Sequence, residues 1–246
     1  MIPALDWLHA GPVAAAAFLA SAVEAVEAAT IVLAAGVTRG WRSALGGAAA
    51  ALAALAALVL AFGAALAAVP IAALQLAVGS LLLLFGMRWL RKAILRQAGV
   101  IDRRDEVQIY ARERRALAGQ GSTAPWDPAA LLASFKAVLL EGIEVIVIVI
   151  GVGAGGGRLL PASAGAVAAC VAVSLVALAL HRPLTRVPEN ALKLTVGVMV
   201  SSFGLFWFGE GIGVDWLLGD ATILVLIAVL LAAAFCGVWL ARKAAR

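Results

Sequence analysis

The sequence predicts an all-α polytopic membrane protein: seven transmembrane helices, built as a 3+3 inverted repeat plus one C-terminal helix. Three observations predict it. Hydrophobic residues fill 64% of the 246 positions, against roughly half in soluble domains. They fall in blocks of about twenty, the length a helix needs to cross a bilayer core, separated by charged or Pro/Gly-marked breaks. Two stretches of the chain also share their polar and aromatic landmarks in the same order.

The blocks give spans at about 13–36, 44–68, 70–90, 130–153, 160–180, 189–210 and 219–241. The chain reads as one membrane domain over residues 1–246, with no soluble domain of useful size. The residues before the first span hold Asp6 and His9 but no Lys or Arg. They lack the basic start of a signal peptide, and the apolar block that follows is too long for one. Pro70, Pro161 and Pro188 stand near span starts, where a missing N–H costs little. The second and fifth spans are rich in Ala, Leu and Val, and small residues allow close helix approach in lipid. Cys170 and Cys236 lie inside apolar blocks and read as packing residues, not a disulfide.

The net charge of +5 does not point to nucleic acid, because the basic residues sit between the apolar blocks. Sixteen Lys and Arg follow the first, third, fifth and seventh spans, among them Arg39, Arg42, Arg182, Arg186 and Arg242. The opposite side carries only Arg158, with Asp6, Glu210, Asp215 and Asp220. The positive-inside rule then puts the N-terminus outside and the C-terminus in the cytoplasm. One long cytoplasmic loop is expected at about 91–128. Its first part continues the third span with basic residues and an apolar stripe at Trp89, Leu90, Ile94 and Leu95, the pattern of an amphipathic helix at the headgroups. Residues 102–115 alternate in charge and read as a solvated helix, and 119–128 as a flexible linker.

The repeat is the strongest feature. PIAALQLAVGSLLLLFGMRW at 70–89 and PENALKLTVGVMVSSFGLFW at 188–207 share nine of twenty positions without gaps, including Pro, Val-Gly, Phe-Gly and Trp. At nearly the same offset VEAVEAATIVLAAG, at 23–36, matches LEGIEVIVIVIGVG, at 140–153, aligning Glu24 with Glu141 and Glu27 with Glu144. Shared Ala and Leu are cheap in such a composition; aligned glutamate pairs are not. A unit of three spans is odd, so its second copy enters the membrane from the other side, as in many secondary transporters.

That inversion brings both glutamate pairs to the same depth near the bilayer centre, each pair on one helix face. An ionised carboxylate in hydrocarbon costs roughly 2.5–3.5 kcal/mol on insertion scales, so four must face inward and be neutralised. Protons can do this. A multivalent cation does it better, because carboxylate oxygens are hard ligands suited to iron, manganese, magnesium or calcium. Glu24, Glu27, Glu141 and Glu144 are the candidate metal ligands, against the alternatives of protonated interhelical glue and a proton relay. Thr30 could add an oxygen or bond its own helix backbone. Ser201 and Ser202 could line a path, although small-residue packing is the simpler account. Gln75 and Lys193 are repeat equivalents, and Lys193 is expected to snorkel to the cytoplasmic edge with no role. Glu210, at the outer end of its span, could help admit a cation, although a solvated helix end is the simpler account; Trp89 and Trp207 read as interface anchors. GAGGG at 153–157 reads as an outer helix end and turn, and it lacks the Lys-Ser/Thr of a phosphate loop.

This layout resembles the oxidase-dependent iron permease family, which includes bacterial ferrous iron uptake permeases and is iron/lead transporter-like. Its members have seven helices with an Arg-Glu-Gly-Leu-Glu motif in the first and fourth. The present chain has Val-Glu-Ala-Val-Glu at 23–27 and Leu-Glu-Gly-Ile-Glu at 140–144, and RWLRK at 88–92 is similar to the family's basic segment after its third helix. The motif arginine is replaced by Val23 and Leu140, and Ala25 stands for one glycine. The resemblance implies that the four glutamates bind a transported metal cation, iron or another divalent metal, with no permanently bound cofactor. It implies a permease, not an enzyme, in the cytoplasmic (inner) membrane of a bacterium. It also implies an extracytoplasmic metal-delivery or oxidase partner, beside the metal and the lipid bilayer. The competing readings are a proton-coupled transporter of a small organic solute and a non-transporting scaffold.

Overall fold

The computed structural model describes residues 7–66, 69–102, 106–118, 126–153, 158–180 and 189–244. Asp6, Arg182, Arg186, Pro188, Ala154, the glycines at 155–157 and most of the linker expected at 119–128 lie outside them. Helix α1 is Trp7–Arg39, α2 Trp41–Leu66, α3 Ile71–Ala98, α4 Glu106–Ala118, α5 Pro128–Gly153, α6 Leu159–Leu180, α7 Glu189–Gly211 and α8 Thr222–Ala244. A 3-10 turn, Gly219–Ala221, precedes α8, so the last helix starts slightly later than its apolar block. The first starts earlier and takes Pro12 inside its opening turns. Between α1 and α2 the chain turns on Gly40 alone, at φ 112°, a conformation open to glycine and costly for other residues.

Polarity is distributed inside out. Leu60, Leu160 and Leu224 are 70–78% exposed, whereas Ser21, Glu24, Ser134, Ser201 and Ser202 are at most 1% exposed. In water that arrangement would fail; in hydrocarbon it is the stable one, since polar groups need partners inside the protein. Six helices, all but α4 and α5, are long and apolar enough to cross a membrane. The chain is therefore an all-helical integral membrane protein, without strands among its described residues. Helix α5 has 26 residues but carries Lys136, Glu141 and Glu144.

The closest packing runs between α3 and α7, then α1 with α6, α2 with α5, and α1 across α5. Exchanging α1, α2 and α3 for α5, α6 and α7 maps this set of pairs onto itself. Individual contacts repeat with it. A side chain at Gly47 would strike the carbonyl of Leu131, and one at Gly165 would strike the carbonyl of Ala14; the glycines are 118 positions apart and the carbonyls 117. Gly79 abuts Gly204 and Gly86 abuts Gly197, so α3 and α7 run antiparallel. Helix α8 lies against α3 and α7.

The expected fully solvated helix at 102–115 is corrected in part. Most of α4 is exposed, but it packs on α1 and its Leu117 is buried. The Leu117 carbonyl accepts hydrogen bonds from Arg39, which also pairs with Asp127 at 2.8 Å. The end of α1 carries a guanidinium that needs acceptors, and the α4 C-terminus supplies one. Asp127 caps α5 by accepting from the N–H groups of Ala129 and Ala130, at 2.9 and 3.1 Å, while its own N–H donates to Ser43 Oγ. The Ala130 N–H, and against the cost of burial the charge of Arg39, hold the Asp127 carboxyl below the usual range.

Candidate functional site

Helices α1 and α5 pack together with their glutamates on facing sides. Glu24 and Glu27 stand one turn apart on α1, Glu141 and Glu144 one turn apart on α5, because a spacing of three returns to the same helix face. All four border one small cavity of about 120 Å³. Glu24 and Glu27 are buried, at 1% and 6% exposure; Glu141 and Glu144 are half-buried.

One carboxylate oxygen from each of Glu24, Glu141 and Glu144 lies within 4.8 Å of the others. Three acidic oxygens at that separation repel each other unless a proton or cation lies among them. They also outline the oxygen shell a hard divalent ion prefers. Glu24 Oε1 is buried and accepts no hydrogen bond, although Glu24 borders the cavity; a buried oxygen without a partner is one that a proton or a cation can satisfy.

Glu27 stands outside this triad. Its carboxylate accepts from the Lys193 ammonium of α7, a buried ion pair. The expectation that Lys193 snorkels outward is corrected: its residue is 8% exposed, and its Nζ lies 5.5 Å from the centroid of the Trp89 ring. An inward carboxylate offers an ammonium far more than a distant headgroup layer does. The interface role expected for Trp89 and Trp207 is corrected too. Both are 4% exposed and belong to the main core, Trp89 walling the cavity. The tight α3–α7 packing turns their rings inward.

Sequence reasoning also missed the basic side of the cavity. Arg88, Lys92 and Arg96 of α3 line it at spacings of four, so they share one face. Arg88 approaches Glu144 at 3.5 Å. The signal was available: the basic stripe of 88–96 begins one residue before Trp89, and a lysine within an apolar block asks for a partner.

The weaker candidates resolve differently. Thr30 donates to the Val26 carbonyl at 2.9 Å, the helix-backbone alternative. Ser202 donates to the Val198 carbonyl at 2.8 Å, and Ser201 packs against Gly86; neither borders the cavity. At the far end of the α3–α7 pair Gln75 donates to Glu210 at 2.8 Å, so Glu210 is a paired group, not a purely solvated helix end.

No protein-family model, no curated protein and no solved structure matches this chain. What the site can do rests on its own carboxylates. One further cavity touches them. An apolar groove of about 800 Å³ between α1, α2, α5 and α6 ends on Glu24 and Glu141. These two carboxylates thus stand between a polar cavity and an apolar one.

Proposed function

We propose that this chain is a membrane permease for a metal cation, iron or another divalent metal, carried on the crossing of α1 and α5. The observation that carries the reading is the triad of Glu24, Glu141 and Glu144, three carboxylate oxygens within 4.8 Å of one another. The inside-out polarity makes such a cluster expensive unless it has a use. In this reading α5 also spans the membrane, fourth in chain order, and brings the count to seven. The charges that set it apart from the other six helices are those of Lys136 and of the site itself. The mutual exchange of helix pairs, with antiparallel α3 and α7, supports the 3+3 inverted repeat, whose interface near the midplane is where carriers hold their substrates. The basic loops support an outside N-terminus and a cytoplasmic C-terminus. The resemblance to the oxidase-dependent iron permeases supports a bacterial cytoplasmic membrane and an extracytoplasmic delivery or oxidase partner.

The test is metal analysis of the purified protein beside a Glu24→Gln, Glu141→Gln double variant, with uptake measured in vesicles. Glutamine keeps the size and removes the charge. The variant should fold, lose bound metal and lose uptake. Full metal uptake by the folded double variant would end the reading.

The apolar groove ending on Glu24 and Glu141 favours a second reading, a proton-coupled carrier of a small organic solute with a cationic head. That carrier would depend on the same glutamates but bind no metal, and vesicle uptake would respond to a pH gradient without added metal.

A further inference from the structure

Four carboxylates border the cavity, yet only three of them form the oxygen cluster. The fourth, Glu27, is held by Lys193. Glu27 shares a helix face with Glu24 and borders the same cavity, so nothing in the backbone keeps it from the cluster. What occupies it is a cation already tethered to the protein. The lysine side chain is a compact charge on a flexible four-carbon stem. It has a second station within reach, the face of Trp89, whose ring centroid is 5.5 Å from Nζ; aromatic faces hold ammonium groups well when water is excluded.

We propose that Lys193 is a built-in exchangeable cation: it neutralises Glu27 while the site is empty of substrate and yields that carboxylate when a metal ion binds. The inference rests on the permease reading. Its consequence is functional. Without Lys193 the four carboxylates would be offset only by the basic side chains of α3, with Arg88 near Glu144, and a divalent ion would bind more tightly and leave more slowly. With the ammonium returning to Glu27, part of the metal's binding free energy goes into displacing an internal rival, and release is assisted by that rival's return. Lys193 and metal are then linked competitors for one carboxylate.

The experiment uses Mn²⁺ as the probe, with full-length protein purified and also reconstituted in phosphatidylcholine vesicles. Lys193→Gln removes the rival and should bind Mn²⁺ roughly tenfold tighter or more, given one unit charge removed at close range. Mn²⁺ should raise its melting temperature more than that of the parent protein. Net release into Mn²⁺-free buffer should slow relative to Mn²⁺–Mn²⁺ exchange. The Glu27→Gln, Lys193→Gln double variant, which removes carboxylate and rival together, should return to near-parent affinity, and it keeps the test valid if the single variant is unstable. Equal or weaker Mn²⁺ binding by Lys193→Gln, with an unchanged ratio of release to exchange, would overturn the proposal and leave a purely structural ion pair. A double variant that binds as tightly as Lys193→Gln would overturn it as well, since Glu27 would then not be the contested ligand. If the parent protein itself binds no Mn²⁺ or Fe²⁺, the permease reading falls first and this inference with it. That outcome differs from one in which the parent binds and the lysine has no effect.

Discussion

Glu24 is the least exposed of the four glutamates, and one of its oxygens accepts no hydrogen bond. A carboxylate in that position binds either a proton or a cation, and the two compete for the same lone pairs. Metal uptake should therefore fall as the medium is acidified, and added metal should shift the fall to lower pH. Uptake measured across a pH series at two metal concentrations checks this; an acid loss that metal does not shift would point to a proton-coupled step instead. Thr30 provides the contrast. Its hydroxyl is spent on the Val26 carbonyl, so Thr30→Val should leave metal binding unchanged. The glutamates were legible in the sequence because charge inside an apolar block, spaced by three and repeated, has few bland explanations. Lys193 and Trp89 were not. Helical spacing says which face a residue occupies but not which neighbouring helix that face meets, and Lys193 lies on α7, far along the chain from its partner on α1.

At the scale of the helices, two kinds of joint hold the crossing. The first is close backbone approach. Gly47 and Gly165 each meet a carbonyl of the facing helix, so Gly165→Leu should force α6 away from α1. Overpacking of this kind costs about 1–3 kcal/mol, read as a lower melting temperature in detergent, and the equivalent change at Gly47 should cost a similar amount. The second joint is the clasp of Arg39, Asp127 and Ser43, which ties the end of α1 to the start of α5. The Asp127 carboxyl is held below its ordinary pKa by the Ala130 N–H and by Arg39. Its contribution is therefore present above the ordinary carboxylate pKa, near 4, and is lost as pH falls through the depressed value. Parent and Asp127→Asn proteins should differ in melting temperature at neutral pH and converge at acid pH; a gap that persists unchanged in acid would mean that charge plays no part. Helix positions were largely readable from apolar block length. The clasp was not, because it joins the α1–α2 corner to the start of α5, more than eighty residues along the chain, and no local pattern encodes it.

For the whole molecule, the basic residues and the helix pairing make separate statements about orientation. In the proposed orientation the charge pattern places α4 on the cytoplasmic side. A cysteine at Gln108, on the exposed side of that helix, should react with a membrane-impermeant maleimide only after the inner face is opened. Labelling in intact cells would reverse the orientation while leaving the fold untouched. The proposed repeat has its sequence signature in the Pro, Gly, Phe and Trp landmarks. That the strongest helix pairs join the first three long helices to the next three, more than they join helices within either set, needed coordinates.

That last property bears on how the protein is made. The main partners of α1 are α5 and α6, and the main partner of α2 is α5. A ribosome adding about 5–20 residues per second delivers Glu24 and Glu27 to the membrane several seconds before Lys193 exists. During that interval the first three helices lack their main packing partners and the cation that neutralises Glu27. The nascent half must be sheltered by the insertion machinery or carry its glutamates protonated. It follows that the two halves are obligate companions. Expressed alone, the segment through α4 should be degraded; expressed with a separate segment starting at α5, both should accumulate and co-purify. A first half that accumulates intact by itself would show that its helices find a stable arrangement without the second.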